Sequence, residues 1–236
     1  MLAVSEIFYT LQGEGKYVGF PAVFVRLGGC NLKCPGFSSS GCDSSFSVDP
    51  SNRSTWTSYS VSDLIQEIKN NIVKYPESTT LPMIIFTGGE PTLYQQDLAP
   101  VVTYFVSRGY KVQFETNASI EIKFDAFPVL KQVSFAMSVK LSNSKEPEHK
   151  RINLQNLEKI LLNTEDSFFK FVCRDSKDIE EASNILKEVT HYADVYIMPM
   201  GETVKQIEKV AQNIWEECMK YGFKYSDRLH IRIYND

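Results

Sequence analysis

The sequence predicts an α/β fold in which mainly parallel strands alternate with helices. Six short apolar segments, each ending in glycine or polar residues, have the length and composition of buried strands. Segments with apolar residues at helical spacing separate several of them. Such alternation produces parallel strands joined by right-handed crossovers, and the chemistry of these folds gathers at the carboxyl ends of the strands.

The strands are predicted at 22–27, 83–87, 111–115, 133–137, 168–172 and 195–198, with a last short strand at 229–234. Helices are predicted after Ser60, over 98–108 with Pro100 in the first turn, and around 179–189. The clearest helix opens at a capping box, Thr203-Val-Lys-Gln206. The polar stretch 38–60 is predicted to be a long loop.

Composition and charge limit the classes of function. The 236 residues suit a single domain spanning 1–236. A formal net charge of −4 disfavours a broad electrostatic grip on nucleic acid. No apolar run approaches membrane-spanning length, and the N-terminus lacks the pattern of a signal peptide. We therefore expect a cytoplasmic protein with neither nucleic acid nor membrane as a partner.

Three of the five cysteines, Cys30, Cys34 and Cys42, fall in one loop after the first predicted strand. Clustered thiols in a reducing compartment indicate a soft metal centre, such as an iron–sulfur cluster, zinc or copper. A structural zinc site usually has four ligands, whereas three thiolates on a [4Fe–4S] cluster leave one iron open. Unligated core cysteines are the alternative, and we expect that state for Cys173 and Cys218.

Two further features lie beside this loop in the predicted fold. Thr87-Gly-Gly-Glu-Pro91 follows the second strand, where its glycines would let a ligand approach the backbone and Glu90 could accept a hydrogen bond from an ammonium group. Arg26 directly precedes the cysteine loop and could clamp a carboxylate with two parallel hydrogen bonds. An ordinary strand-to-helix turn and a solvated arginine are the alternative interpretations.

The motifs occur in an order that is typical of one family. The first are Glu6-Ile-Phe-Tyr-Thr-Leu-Gln-Gly-Glu-Gly15, Phe24-Val-Arg26 and Cys42-Asp-Ser44. Later come Glu115-Thr-Asn117, Ser138-Val-Lys140, Met198-Pro199 and Leu229-His230. Together they closely resemble the 7-carboxy-7-deazaguanine synthases, which are radical S-adenosylmethionine (SAM) enzymes. The resemblance implies a partial, open β/α barrel of the radical SAM type with about six mainly parallel strands.

The resemblance also implies a reaction. In that family 6-carboxy-5,6,7,8-tetrahydropterin becomes 7-carboxy-7-deazaguanine with release of ammonia, on the route to queuosine and other 7-deazapurines. Hydrogen is taken from C6 of the pterin and later returned, and SAM is regenerated. The implied cofactors are a [4Fe–4S] cluster, SAM and Mg²⁺. The implied partners are an electron donor such as flavodoxin or ferredoxin and a second copy of the chain in a homodimer.

Site residues are carried over by position. The implied cluster ligands are Cys30, Cys34 and Cys42, and the implied Mg²⁺ ligand is Ser44. The implied SAM contacts are Gly41, Cys42, Asp43, Gly89, Glu90, Ser138, Val139 and Lys140. The implied substrate contacts are Leu11, Gln12, Gly13, Glu14, Arg26, Thr87 and His230.

Three features depart from the family pattern. The second gap of the cysteine loop holds seven residues, 35–41, where two are common. Val139 stands where the family often has proline, and the chain stops soon after Tyr234. Two rival functions remain open: another radical SAM enzyme, such as an activase for a glycyl-radical enzyme, and a non-catalytic metal-binding module, zinc-dependent and interacting with RNA. Turnover of the carboxytetrahydropterin and the iron and sulfide content would separate them.

Overall fold

Nine strands form one continuous sheet in the computed structural model, which describes residues 1–36 and 41–234. The strands are β1 (Leu2–Leu11), β2 (Pro21–Leu27), β3 (Thr57–Tyr59), β4 (Met83–Gly88), β5 (Val112–Thr116), β6 (Ser134–Met137), β7 (Phe168–Cys173), β8 (Val195–Pro199) and β9 (Lys224–Tyr225). Their order across the sheet is β3-β1-β2-β4-β5-β6-β7-β8-β9. Neighbouring strands from β2 to β9 run parallel, and β1 runs antiparallel to both of its neighbours.

Helices lie between most of the parallel strands, and a short helix follows the last strand. They are α1 (Ser45–Val48), α2 (Val61–Ile72), α3 (Gln95–Val106), α4 (Glu148–Arg151), α5 (Leu154–Asn163), α6 (Ser176–Lys187), α7 (Val204–Tyr221) and α8 (Leu229–Tyr234). Ser60 and Thr203 cap α2 and α7 as predicted, since each side chain accepts a hydrogen bond from a backbone N–H of the first turn. In the described part of the chain, no helix is long and apolar enough to cross a membrane.

The two faces of the sheet have different chemistry because side chains alternate along each strand. Val23, Val25 and Leu27 of β2 pack into the main core with the apolar sides of the helices. Ala22 and Phe24 point to the other face, where they meet Met83 and Ile85 of β4 in a smaller apolar cluster. Arg26 and Thr87 continue this second face toward the carboxyl ends of the strands. The second face therefore has an apolar floor and a polar upper part.

The predicted fold class is confirmed, and the six predicted strands correspond to β2 and to β4–β8 within two residues. The prediction of a strand at 229–234 is wrong. Leu229, Ile231 and Ile233 alternate as in a strand, but the segment is α8, and Ile233 is 65% exposed. Only Ile231 of the three is buried, so one helical turn satisfies the pattern as well as a strand would.

Most of the other differences concern the N-terminal half. The sequence interpretation missed β1, β3 and β9. The segment predicted to be a loop over 38–60 contains α1, a 3₁₀ helix (Pro50–Thr55) and β3, while its residues 38–40 lie outside the described residues. Helix α3 begins earlier than expected, so Pro100 lies in its interior rather than in the first turn. Pro100 is exposed, and water can therefore solvate the carbonyl that its missing N–H leaves unpaired.

Candidate functional site

A cavity of about 450 Å³ lies on the polar upper part of the second face, at the carboxyl ends of the parallel strands. Most of the implied site residues line it: Leu11, Gln12, Gly13, Glu14, Arg26, Cys30, Cys34, Cys42, Asp43, Ser44, Thr87, Gly89, Glu90, Ser138, Lys140 and His230. The fold thus brings together residues that are more than 200 positions apart in the chain. Gly41 and Val139 are the two implied contacts that do not line the cavity.

The cysteine loop is fixed to the rest of the fold by backbone hydrogen bonds. Glu146 Oε1 accepts from the N–H groups of Lys33 and Cys34, at 2.6 and 2.8 Å. Gly36 N donates to the carbonyl of Ser144 at 3.1 Å. Cys34 itself has a φ of 46°, in the left-handed region that few non-glycine residues adopt. The position of the Cys34 thiol is therefore set by contacts with the segment 144–146 as well as by its own loop.

The three thiols are uncharged in the metal-free protein. Burial, reinforced by the charge of Glu90, raises the pKa of Cys30 to about 12. Burial also raises the pKa of Cys34 to about 11, and it raises the pKa of Cys42. A metal centre would displace these protons, because thiolates are the ligating form.

The donor set fits a [4Fe–4S] cluster. Three soft sulfur donors line one cavity, which leaves room for a cluster and for a further ligand on its open iron. Among the described residues, no three His, Cys, Asp or Glu side chains are grouped closely enough to share one metal ion. A cluster does not require such a grouping, since each thiolate binds a different iron.

Two glycine pairs let the ends of β2 and β4 approach each other beside the thiols. Gly89 N donates to Leu27 O at 2.8 Å, and Glu90 N donates to Gly29 O at 2.9 Å. A Cβ on Gly89 would lie 1.8 Å from Gly29 O, so no other residue fits there without movement of the backbone. The Gly-Gly-Glu motif is therefore built around close backbone packing, and it also places Glu90 at the cavity.

Glu90 is buried and connects the ends of β4 and β5. Its Oε1 accepts from Thr92 N at 3.0 Å, from Thr92 Oγ1 at 2.6 Å and from Thr116 Oγ1 at 2.6 Å. Its Oε2 accepts from Asn117 N at 2.8 Å. Burial raises the pKa of this carboxyl despite those hydrogen bonds. Because Oε1 is saturated, a contact with the amino group of SAM would have to use Oε2.

Arg26 lies between two aromatic rings at the edge of the cavity. Its guanidinium carbon is 5.5 Å from the centre of the Phe8 ring and 5.7 Å from that of Phe46. Glu6 Oε1 lies 2.6 Å from Nε, yet Nε has no well-directed hydrogen bond within the described residues. Arg26 is thus held in place by packing and by its ion pair with Glu6, while its Nε lacks a well-directed hydrogen bond.

Two carboxylates and two cations form another part of the cavity lining, which we call the charged wall: Glu14, Glu115, Lys170 and Arg228. Lys170 Nζ is 3.0 Å from Glu14 Oε2 and 3.3 Å from Glu115 Oε2. Arg228 Nε is 2.9 Å from Glu14 Oε1. Burial would raise the pKa of Glu14, but the charges of Lys170 and Arg228 outweigh it and hold that pKa far below its usual range. Glu14 is therefore ionised.

Two implied substrate contacts are attached to this wall. Gln12 Nε2 donates to Glu115 Oε1 at 2.9 Å, and Thr87 Oγ1 lies 3.4 Å from Glu115 Oε2. The sequence interpretation placed Glu115 in a motif but assigned it no contact, and it did not single out Lys170 or Arg228. Lys170 carried a usable signal, because it is the one charged residue in the apolar strand Phe168-Phe-Lys-Phe-Val172 and therefore had to face a polar environment.

The remaining implied residues are distributed around the mouth. Within residues 1–36 and 41–234, Ser44 Oγ makes one weak contact, 3.4 Å to Asp43 Oδ1, and Ser44 precedes α1 without capping it. Lys140 Nζ donates to Ser138 Oγ at 3.1 Å. The Val139 side chain belongs to the core, so only its backbone could contact a ligand. Gly41 is buried beside Cys34 and Pro35, with a φ of 94°.

His230 lies on α8, not on a strand as predicted, and it packs over Gly13. A Cβ on Gly13 would lie 2.4 Å from His230 Nδ1. The Nε2 atom of His230 is 3.9 Å from Glu14 Oε1. Burial lowers the pKa of His230 below 6.5, although Glu14 works in the opposite direction. The glycine at position 13 thus allows His230 to approach the cavity.

Known proteins are similar to this chain in sequence and in fold. A family profile described as "4Fe-4S single cluster domain" matches residues 11–161. The 7-carboxy-7-deazaguanine synthase of Halobacterium salinarum is 30% identical over 251 aligned positions, which cover 100% of this chain and 91% of that protein. The synthase of the same name from Methanospirillum hungatei is 31% identical and covers 86% of this chain and 74% of that protein.

A solved structure has the same fold. The crystal structure of QueE from Escherichia coli superposes with a TM-score of 0.70 at 22% sequence identity, covering 97% of this chain and 94% of that one.

Proposed function

The chain belongs to the 7-carboxy-7-deazaguanine synthase family, and we propose that it is a radical SAM lyase with that activity. Its substrate would be 6-carboxy-5,6,7,8-tetrahydropterin, and its products 7-carboxy-7-deazaguanine and ammonia, in 7-deazapurine and queuosine biosynthesis. One observation carries the proposal: the same cavity is lined by three thiols, by the half-buried guanidinium of Arg26 and by the ion-paired carboxylates of the charged wall.

The thiols and their surroundings suit the cofactors. Cys30, Cys34 and Cys42 would hold the [4Fe–4S] cluster, whose open iron is left for SAM. Around it, Glu90 Oε2 would accept from the amino group of SAM, while Asp43, Gly89, Ser138 and Lys140 would contact the rest of it, together with the backbone of Gly41 and Val139. When bound, the cluster and SAM supply one-electron chemistry that can remove a hydrogen atom from carbon.

The chain's own residues would orient the substrate. Arg26 would bind the pterin carboxylate with two hydrogen bonds, because it lines the cavity and its Nε has no well-directed hydrogen bond among the described residues. The ring system of a pterin has N–H donors along its edge, and the carboxylates of the charged wall are ionised or hydrogen-bonded acceptors that could receive them. The segment 11–13, Thr87 and His230 would complete this pocket.

Mg²⁺ is proposed to bind at Ser44. Among the described residues, the hydroxyl has a single weak contact, and it adjoins Asp43 at the cavity. A single hydroxyl together with substrate oxygens and water is an acceptable ligand set for Mg²⁺. The metal would hold substrate oxygens and polarise them during the rearrangement.

Three further expectations are part of the proposal. The cluster needs an external one-electron donor, for which flavodoxin or ferredoxin is the expected class. A homodimer and a cytoplasmic location are expected from the family and from the sequence, respectively.

Anaerobic turnover tests the proposal. The reconstituted protein is incubated with SAM, reductant, Mg²⁺ and the carboxytetrahydropterin, and the products are scored by mass and by ammonia release. We expect 7-carboxy-7-deazaguanine and one equivalent of ammonia, and we expect no product from the Cys42→Ala variant. A protein that contains iron and sulfide but leaves the pterin unchanged would instead support another radical SAM reaction, and a zinc-loaded protein would support the binding module.

A further inference from the structure

Arg228 joins three segments of the cavity wall through all the nitrogens of its guanidinium group. Nε donates to Glu14 Oε1 at 2.9 Å, and Nη1 donates to the carbonyl of Gly201 at 2.7 Å. Nη2 donates to Asp43 Oδ2 at 3.1 Å. The side chain is only 13% exposed, so these bonds are largely shielded from water. Arg228 is thus a fixed bridge and not a mobile surface charge.

The two carboxylates that it connects have different proposed ligands. Asp43 follows the cluster ligand Cys42 and is proposed to contact SAM, whereas Glu14 is proposed to contact the pterin. The segment around Arg228 also holds the backbone beside Glu14, because Leu229 N donates to Gly13 O at 3.0 Å and Gly15 N donates to Ser226 Oγ at 2.7 Å. A displacement of Asp43 is therefore transmitted through Arg228 to the pterin side of the cavity.

We propose that Arg228 is a positioning residue that couples SAM binding to substrate binding, an inference that rests on the proposed function. When SAM orders Asp43, the guanidinium is held in the orientation that fixes Glu14 for the pterin. Such coupling is reciprocal, so the pterin must favour SAM by the same factor. Arginine suits this task because its planar group binds in three directions at once, which a lysine ammonium at the same place would do less rigidly.

The coupling can be tested by replacing Arg228, because the charged wall supplies Glu14 with a second cationic partner. If Arg228 is replaced by Gln, Glu14 keeps its ion pair with Lys170 at 3.0 Å and is not left as an isolated buried charge. Arg232 provides a matched control four residues further on. It pairs with Asp227 and Glu208, at 3.0 and 3.3 Å, and it does not line the cavity.

The experiment measures binding rather than turnover. The anaerobic holoenzyme, without reductant, is titrated with 6-carboxypterin, a fluorescent oxidised analogue of the substrate, in the presence and absence of SAM. For the wild type we expect SAM to raise the affinity for the analogue by about fivefold or more. This factor should fall close to one in Arg228→Gln, recover in part in Arg228→Lys and remain unchanged in Arg232→Gln. Thermal unfolding checks that each variant is folded.

The outcomes separate the coupling from the proposed function. If the wild type binds the analogue equally well with and without SAM, or if Arg228→Gln keeps the wild-type factor, the coupling role is wrong while the proposed function stands. If Arg228→Gln loses binding of both ligands together with its thermal stability, the residue is structural and the proposal fails. Absence of any binding of the analogue to the wild type would count against the proposed function itself.

Discussion

The two sides of the cavity are prepared for their ligands to different degrees. On the charged wall, Lys170 is 5% exposed and lies between Glu14 and Glu115, so each charge already has its counter-charge within the protein. Elsewhere in the cavity, burial raises the pKa values of Cys30, Cys34 and Cys42, which favours their neutral thiol form. Each charge of the charged wall is paired within the protein, whereas the three thiols acquire their charges only when a metal centre replaces the protons.

This difference indicates what each region contributes. Buried charges stabilise a protein only when they are paired, so the charged wall is coupled to the stability of the fold. Removal of a buried thiol leaves a small cavity and costs little, so the cysteine loop is coupled to the cofactor instead. Substitutions on the charged wall should therefore change stability and substrate affinity, and substitutions in the loop should change cofactor content.

The largest expected effect is on the thiol side. Replacement of Cys30, Cys34 or Cys42 by Ala should remove the cluster and all turnover, because two thiolates cannot hold a cluster that already has one iron without a protein ligand. Iron and sulfide analysis with the visible absorption spectrum would measure this effect. Cys173→Ala and Cys218→Ala are the controls, since both cysteines lie in the core and should leave iron content intact. A full cluster content in Cys42→Ala would contradict the assignment at the widened gap.

The next effect is on stability. Lys170→Met should lower the free energy of unfolding by about 3–5 kcal/mol, because it leaves the Glu115 carboxylate without its cation and Glu14 with Arg228 alone. Chemical denaturation of the apoprotein would measure the loss. Lys159→Met is the control, as Lys159 pairs with Glu121 at the surface and should change stability little. Equal free energies of unfolding for the two variants would show that the charged wall does not stabilise the fold.

A third effect separates the two ligands. Arg26→Ala should weaken binding of the carboxytetrahydropterin by about 2–5 kcal/mol, the typical loss for a buried charged hydrogen-bond pair. Gln12→Ala should weaken it too, and both variants should change SAM binding far less. Parallel titrations with each ligand would measure the ratio, and slow cleavage of SAM without substrate should persist. Arg108→Ala is the control, because Arg108 stacks on Tyr104 away from the cavity. Equal losses for both ligands would contradict the division of the cavity into two sides.

The smallest effect concerns the metal ion. Ser44→Ala should raise the Mg²⁺ concentration needed for half-maximal turnover and lower the rate, while cluster content and SAM binding stay normal. Ser44→Thr should be tolerated because it keeps the oxygen ligand. Ser51→Ala, in the same loop region but outside the cavity, is the control. Wild-type rates for Ser44→Ala across a Mg²⁺ titration, or full activity after treatment with a chelator, would disprove the metal role.

The sequence predicts the parallel part of the fold well because buried parallel strands are continuous apolar runs, such as Met83–Gly88. It fails for β1, which is only half-buried and joins the sheet in the antiparallel direction, and for α8, where an alternating pattern is satisfied by one helical turn. Local sequence patterns do not show how a segment pairs or packs with distant parts of the chain.

In the candidate site too, the sequence identifies residues in local motifs and misses residues that act through distant partners. Cys30, Cys34 and Gly89 belong to motifs that are local in sequence, so spacing and family resemblance suffice to identify them. Lys170 and Arg228 act through partners that are 156 and 214 positions away, Glu14 in both cases. Neither residue belongs to a motif, and only the folded chain brings them to the cavity.

The most direct test of the central claim, that the two sides act on one bound substrate, is the fate of a deuterium atom at C6 of the carboxytetrahydropterin. After anaerobic turnover, the SAM and the product are recovered and their isotope content is measured by mass spectrometry. If both sides face one molecule, deuterium should leave C6 and appear in the recovered SAM. Retention of all deuterium in the pterin-derived product, or its loss to water alone, would contradict the account.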